Sequence, residues 1–109
     1  MSDTETILAR DIGRDQLVAE LRALRPLFER EGVAHMVLFG SRARGDHRPD
    51  SDVDLMIDVV PGRRLSMLSL IGLGHVVEDH IGLLGNVLIR KDLRKSLAEG
   101  ARRDAVQVF

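Results

Sequence analysis

The stretch from Val37 to Asp58 constrains the fold of this chain more than any other part of the sequence. An apolar run ends there at Gly40-Ser41, and ten residues later a second apolar run opens with Asp52-Val53-Asp54. Short apolar runs that are bounded by glycine and by polar residues are typical of buried strands. The stretch therefore predicts two short strands joined by a polar loop, with charged side chains where the second strand begins.

Two carboxylates stand at the start of the second predicted strand. Residues two apart along a strand point to the same face, so Asp52 and Asp54 are predicted to lie side by side. Two like charges in this arrangement repel each other, and a hard cation removes the conflict. Mg²⁺ takes oxygen ligands from one or two carboxylates together with substrate phosphates. Asp52 and Asp54 are therefore candidate ligands of one or two Mg²⁺ ions.

The loop before these carboxylates carries residue types that bind phosphate groups. Gly40 allows the backbone to come close to a ligand, and Ser41 opens a predicted helical turn over residues 41–44 with its hydroxyl and backbone N–H groups. Arg42 and Arg44 add guanidinium groups, whose planar fork matches the geometry of a phosphate. Together with the two aspartates, these four residues predict a metal-assisted site for a nucleoside triphosphate.

Gly-Ser, ten residues and then Asp-x-Asp resembles the signature of the nucleotidyltransferase superfamily, which includes DNA polymerase β. The fuller motif here, Phe39 to Gly45 followed by Ser51 to Leu55, looks like that of its minimal nucleotidyltransferase (MNT) branch. This branch consists of small bacterial and archaeal proteins that are often the antitoxin partners of HEPN-domain toxins. The resemblance is sharp over Val37 to Ile57 and looser over the rest of the chain.

The resemblance implies a reaction. The glycine-loop residues would bind the triphosphate, the paired aspartates would hold Mg²⁺, and a nucleoside monophosphate, foremost AMP from ATP, would pass to a hydroxyl of a protein or a small molecule. The superfamily also uses a third carboxylate on a neighbouring strand. The stretch that looks equivalent, Gly85 to Ile89, has Asn86 at that position. An amide is neither charged nor a general base, although its carbonyl oxygen can still ligate a hard ion.

Asn86 leaves two hypotheses open. In the first, the chain is a Mg²⁺-dependent nucleotidyltransferase, and Asn86 belongs to its catalytic residues with Asp52 and Asp54. In the second, it is a catalytically weakened or inactive NTP-binding antitoxin that acts by contact with its partner. The two hypotheses agree on nucleotide binding and differ in whether turnover occurs.

Hydrophobic periodicity predicts helices that alternate with strands. The predicted elements are a helix over 14–31 interrupted at Pro26, strands over 34–39 and 52–60, a helix over 65–80, a strand over 83–89, a helix over 92–104 and a strand over 105–109. This order predicts the α/β (α+β) class. The resemblance implies a small mixed β-sheet with helices packed on it. Residues 1–11 are predicted to be a flexible N-terminus, and residues 12–109 to form a single nucleotidyltransferase domain.

Composition limits the kinds of ligand and cellular location that the chain can have. The net charge of −1 argues against strong binding to nucleic acid, and the absence of cysteine excludes disulfides and thiolate metal sites. The longest apolar stretch is shorter than the ~20 residues that cross a bilayer, and the acidic start has no signal-peptide core. We therefore expect a cytoplasmic protein. The motif predicts that it binds ATP or another NTP, the resemblance implies a HEPN-type protein partner, and self-association is also open to so short a chain.

Overall fold

The computed structural model describes residues 12–109, which form a four-stranded sheet with helices on both faces. Its elements, in chain order, are α1 (Arg14–Ala23), α2 (Arg25–Arg30), β1 (Val33–Phe39), α3 (Ser41–Arg44), β2 (Val53–Val59), α4 (Met67–Ile81), β3 (Gly85–Ile89), α5 (Lys95–Asp104) and β4 (Val106–Gln107). The mixed α/β class is confirmed, whereas the predicted flexible segment 1–11 lies outside the described residues. None of the described helices is both long enough and apolar enough to cross a membrane.

The first predicted helix is divided into two. α1 buries Leu17 and Leu21, and α2 buries Phe28, so both helices turn one apolar face to the core. Pro26 lies in the first turn of α2, where its missing N–H needs no partner. Gly32 follows α2 with a φ of +98° and leads the chain into β1. The interruption predicted at Pro26 is therefore confirmed.

The sheet has the strand order β3-β2-β1-β4. β1 pairs antiparallel with both β2 and β4, whereas β2 and β3 run parallel. A parallel pair needs a crossover connection, and α4 supplies it. The mixed sheet implied by the family resemblance is thus confirmed. Because β2 and β3 are parallel and in register, the residues that open these two strands lie next to each other.

The two faces of the sheet are covered unequally. Alternate residues of β2 between Val53 and Ile57 join the main core with side chains of α1, α2 and α4. The opposite face has a smaller cluster, in which Ala101 of α5 packs with Val37 and Met56. Asp54 alternates with the core residues of β2 and therefore points to this second face. The predicted site thus lies on the face that α5 covers.

α4 packs closely on β3. Its N-terminus is capped by Ser66, whose hydroxyl accepts a hydrogen bond of 3.1 Å from the N–H of Ser69. A Cβ atom at Gly74 would collide with the carbonyl oxygen of Gly85. Glycine inside a helix costs up to ~1 kcal/mol relative to alanine, and at Gly74 it lets the helix and the strand approach each other.

Two predicted boundaries move in the C-terminal part of the chain. The last helix begins at Lys95 and not at residue 92, because Arg90–Asp92 forms a separate 3₁₀ turn and Leu93 is extended. The terminal strand shrinks from 105–109 to Val106–Gln107, which are the residues that pair with β1 as a ladder. These shifts leave the element order unchanged.

Candidate active site

Asp54 and Asn86 are neighbours on adjacent strands. They share one register position of the parallel pair formed by β2 and β3. The Nδ2 atom of Asn86 donates a hydrogen bond of 3.4 Å to Oδ1 of Asp54. Asn86 therefore stands where the family resemblance implies a third carboxylate, on the strand beside the paired aspartates.

The surroundings of Asp54 disfavour its ionised form. Its pKa is raised above the ordinary value, mainly because burial removes the carboxylate from water. The hydrogen bond from Asn86 and the positive charge of Arg44 lower the pKa, whereas the negative charge of Asp52 raises it. Asp52 and Asp54 are thus close enough to repel each other, as their spacing predicts.

The oxygen atoms around Asp54 form a donor set that suits Mg²⁺. The carboxylates of Asp52 and Asp54 are hard ligands, and a divalent cation offsets the repulsion between them. Asn86 would add its amide oxygen after its side-chain amide turned over, because its nitrogen faces Asp54 here. Across residues 12–109, no group of three or more His, Cys, Asp or Glu side chains is placed to hold a metal. With two carboxylates and one amide, the donor set fits an ion that takes its other ligands from water and from substrate phosphates.

Gly40 brings the end of β1 against Asp54. Its φ of +75° and ψ of −157° are open to glycine and strained for other residues. A Cβ atom built on Gly40 would also collide with the Asp54 carboxylate. Glycine is therefore required here for two reasons: the backbone conformation strains other residues, and the Asp54 carboxylate leaves no space for a Cβ atom.

A pocket of about 550 Å³ opens next to Gly40 and Asp54. The residues that line it come from β1, α3, β2 and α5: Phe39, Gly40, Ser41, Arg44, Asp54, Gly100, Ala101, Arg103 and Asp104. Ser41 and Arg44, two of the predicted phosphate-binding residues, thus face the same space as the Asp54 carboxylate. The residues of α5 were not predicted. No local motif indicates them, because only the packing of α5 on the sheet brings them to this pocket.

Two carboxylates hold Arg44 at the pocket. Its Nε atom donates a hydrogen bond of 3.1 Å to Asp46, and its Nη1 atom lies 3.7 Å from a carboxylate oxygen of Asp104. The hydrogen bond and the charge of Asp46 raise the pKa of Arg44, and Asp104 adds to the effect. Since the Arg44 side chain is exposed, its guanidinium can exchange these partners for a phosphate.

Arg42 is directed away from this pocket. Its side chain is only 1% exposed, and its guanidinium donates hydrogen bonds to the backbone carbonyls of Arg48, Pro49 and Ser51. These bonds hold the loop between α3 and β2 in place. The finding corrects the prediction that Arg42 binds the triphosphate. Residues two apart on a helical turn do not share a face, so Arg42 is buried where Arg44 is exposed.

A second cavity, an apolar groove of about 440 Å³, lies on the β3 side of the Asp54–Asn86 pair. Asp52 and Asn86 line it together with apolar residues of α4 and β3. Two of these apolar side chains, Met67 and Ile71, are 72% and 50% exposed. The groove and the pocket thus lie on different sides of the Asp54–Asn86 pair.

Comparison with known proteins places the chain in a family. Residues 16–107 match the family model described as a nucleotidyltransferase domain. The chain belongs to this family. The nucleotidyltransferase is 34% identical over 94 residues to protein adenylyltransferase MntA of Thermococcus cleftensis, and the match covers 84% of this chain and 88% of that relative.

Solved structures agree with this assignment. A protein proposed to be a minimal nucleotidyltransferase is 30% identical to this nucleotidyltransferase, with a TM-score of 0.72 and coverage of 90% of this chain and 98% of that one. A toxin–antitoxin solved with AMP-PNP has the same fold, with a TM-score of 0.68 at 15% identity, over 83% of this chain and 72% of that one. The resemblance to the minimal nucleotidyltransferases that the motif indicates is therefore confirmed, and with it the class of enzyme.

Proposed function

We propose that this nucleotidyltransferase binds ATP and Mg²⁺ and transfers AMP to a hydroxyl of a protein acceptor. One observation carries the proposal: the Asp54 carboxylate lies against Gly40, shares a pocket with Ser41 and Arg44, and is bonded to Asn86. A metal-binding acid and a phosphate-binding loop therefore meet at one point. The family supports the type of reaction, and the relative named as a protein adenylyltransferase supports AMP and a protein acceptor.

The triphosphate would occupy the pocket beside Gly40. The Ser41 hydroxyl would donate to a phosphate oxygen, and Arg44 would leave Asp46 and Asp104 to bind the phosphates with its planar fork. Asp52 and Asp54, with the amide oxygen of Asn86 as a weaker ligand, would hold Mg²⁺, which neutralises charge on phosphate oxygens. Arg42 would contribute only indirectly, by holding the loop that joins α3 to β2.

The proposed reaction is a direct displacement at phosphorus. The acceptor oxygen forms a bond to the α-phosphorus of ATP, and the bond from that phosphorus to the oxygen bridging the α- and β-phosphates breaks. The bridging oxygen keeps the electron pair and leaves as part of pyrophosphate, while the hydroxyl proton passes to water. Positioning and charge neutralisation supply most of the rate in such transfers. Asn86 is therefore not required to act as a base.

The proposed acceptor is a hydroxyl side chain of a HEPN toxin in the cytoplasm. This part of the proposal is supported by the motif, which resembles that of minimal nucleotidyltransferases that partner such toxins. An attached AMP adds a negative charge and considerable bulk to the modified side chain. A toxin modified close to its active site would be blocked by both effects.

A second function, nucleotide binding without turnover, is favoured by Asn86. The amide adds no negative charge to the site, so a second Mg²⁺ ion would be held by fewer anionic ligands than three carboxylates provide. In this alternative the chain binds ATP and masks its partner by contact. The two functions differ in one product, an acceptor that carries AMP.

The test is a transfer assay read by intact mass. The protein and any HEPN-type protein encoded beside it are incubated with Mg²⁺ and each NTP in turn, next to the Asp52→Ala/Asp54→Ala double variant and Asn86→Asp. We expect a gain of one AMP on the partner that the double variant does not produce. Intact complexes of the double variant, checked by gel filtration, would separate lost chemistry from lost binding.

The Asn86→Asp variant decides between the two functions. Transfer by the wild type means that Asn86 is sufficient in a working site. Transfer by Asn86→Asp alone would mean that an otherwise complete site is silenced at this position, and the binding function would stand. If neither protein modifies the partner or any other protein added with it, the proposed transfer is wrong.

A further inference from the structure

The wall that α5 contributes to the triphosphate pocket carries a cation outside the motif. Residues three and four apart on a helix share a face, so Gly100, Arg103 and Asp104 form one stripe along α5. All three line the pocket that contains Ser41 and Arg44. A nucleotide in this pocket would therefore lie between α3 and α5.

Arg103 differs from the other arginines of this region in its partners. Arg44 is bonded to Asp46 and lies close to Asp104, so two carboxylates already offset its charge. Arg42 is buried and bonded to backbone carbonyls. Among the side chains that the structure describes, the exposed Arg103 has no ion-pair or hydrogen-bond partner. It is thus the cation of the pocket whose charge is not already offset.

Gly100 leaves space beside Arg103. A Cβ atom at Gly100 would have no atom within 4 Å, although the residue lines the pocket. One turn further along the helix, the Arg103 side chain faces this open volume. A ligand that is rich in negative charge can therefore approach the Arg103 guanidinium along α5 without meeting a side chain at position 100.

We infer that Arg103 binds the β- and γ-phosphates of the nucleotide from the α5 side of the pocket. The inference rests on the proposed function, because it assumes that a nucleoside triphosphate occupies this pocket. A guanidinium matches two phosphate oxygens at once, and an Arg–phosphate hydrogen bond is stronger than a bond between neutral groups. Arg44 on α3 and Arg103 on α5 would then hold the phosphates from two sides, and Arg103 would supply the second cation that the sequence assigned to Arg42.

Arg102 provides a matched control for a test by binding. It precedes Arg103 on the same helix and is also exposed, but it lines a separate cavity with Met56 and Arg90. Isothermal titration with Mg²⁺ and α,β-methylene-ATP, which cannot release AMP, measures Kd for the full-length chain. The proteins compared are the wild type, Arg103→Ala, Arg103→Lys and Arg102→Ala, each checked by thermal unfolding.

The Arg103→Ala change should weaken binding about tenfold, which corresponds to the loss of one charge-assisted hydrogen bond. Arg103→Lys keeps the charge without the fork, so it should lose less, and Arg102→Ala should stay within about twofold of the wild type. The same series with AMP should show a smaller effect of Arg103→Ala, because AMP lacks the two outer phosphates. A melting temperature close to that of the wild type would show that the exposed substitution leaves the fold intact.

Three results would overturn the inference. Arg103→Ala that binds as tightly as Arg102→Ala would place the phosphates elsewhere while leaving the proposed function in force. Equal weakening by Arg102→Ala and Arg103→Ala would indicate general attraction to a basic helix and no specific contact. A wild type that binds no nucleotide would overturn the proposed function, and the inference would fall with it.

Discussion

The pocket beside Gly40 and the groove beside Asn86 both border the hydrogen-bonded pair of Asp54 and Asn86, and they differ in chemistry. The pocket combines the Arg44 and Arg103 side chains with a serine hydroxyl and a glycine backbone. Its two carboxylates are Asp54, a proposed Mg²⁺ ligand, and Asp104, which lies 3.7 Å from Arg44. The groove combines Asp52 and Asn86 with exposed apolar side chains of α4, among them Met67 and Ile71. One cavity therefore suits an anion, and the other suits an uncharged group.

The difference indicates how the two substrates would be divided between the cavities. A triphosphate loses hydration when it binds, and cations with directed hydrogen bonds compensate for that loss. Apolar side chains give no such compensation, and neither lysine nor arginine is among the described residues that line the groove. We therefore expect the nucleotide phosphates in the pocket, and an uncharged reactant such as an acceptor hydroxyl on the β3 side of Asn86. Four predictions test this division and the Asp54 site on which it rests.

The largest expected effect is that of Asp54→Asn on transfer. The change keeps the size of the side chain and removes a charge from the proposed metal site. Residues that only support a metal ligand cost about 10- to 100-fold in activity when they are changed, so the loss of a ligand should cost at least about 100-fold. Initial rates of AMP transfer at saturating ATP and Mg²⁺ measure it.

Asp58→Asn is the matched control for Asp54→Asn. Asp58 lies on the same strand but forms hydrogen bonds of 3.0 and 3.1 Å with Arg90, outside both cavities. The Asp58→Asn variant should transfer AMP at a rate close to that of the wild type. Equal losses in the two variants would mean that charge on β2 matters in general, and the special role of Asp54 would be lost.

The second prediction concerns Gly40→Ala, which should lower both stability and nucleotide affinity. The positive φ costs about 1–3 kcal/mol in the free energy of unfolding for a residue other than glycine. The added methyl group would also displace the Asp54 carboxylate from the pocket. Urea unfolding and titration with α,β-methylene-ATP measure the two effects.

Gly62→Ala separates these two causes. Gly62 has a similar φ of +86°, but a Cβ atom there would have no atom within 4 Å. The Gly62→Ala variant should lose stability only because its backbone conformation is strained, and it should bind nucleotide as the wild type does. Nucleotide binding that survives Gly40→Ala unchanged would contradict a pocket that depends on close contact between Gly40 and Asp54.

The third prediction is a dependence of metal-free stability on pH. Because the pKa of Asp54 is raised above 3.8, mainly by burial, the folded protein holds this proton to a higher pH than the unfolded chain does. Stability therefore falls as pH rises from the ordinary pKa through the raised one, and the loss is complete above it. Asp54→Asn lacks this titration, so its stability relative to the wild type should increase over the same window.

Urea unfolding at a series of pH values, in the presence of a chelator, measures this difference. Added Mg²⁺ should restore part of the lost stability in the wild type at neutral pH, and it should do less for Asp54→Asn. A difference between the two proteins that does not change with pH, or that falls as pH rises, would contradict the unfavourable ionisation of Asp54.

The parts of the site that sequence predicts are those fixed by local geometry. The two-residue period of a strand places Asp54 on the face opposite the core, and the order of the elements brings Asn86 to the adjacent strand. Gly40 and Ser41 follow from the turn at the end of β1. These relations depend on residues close in sequence or on a pairing that the family motif implies.

The parts that sequence misses depend on packing between distant residues. Arg42 and Arg44 are the same residue type in one short turn, and only the folded loop shows that one is buried under carbonyl groups. Arg103 reaches the pocket because α5 packs on the outer face of the sheet through Ala101. No spacing within the motif carries this information. The sequence of α5 gives no signal for which of its arginines faces a ligand.

The smallest expected effect is that of Ile71→Lys on ATP binding. Ile71 is half exposed in the apolar groove, so a lysine there fits without disturbing the core. If the whole nucleotide lies in the pocket, Kd for α,β-methylene-ATP should stay within about twofold of the wild type, a change of no more than ~0.4 kcal/mol. Val60→Lys, at another exposed apolar residue outside the groove, is the control. A loss of affinity in Ile71→Lys alone would place the adenine base in the groove, and the two cavities would then serve one substrate.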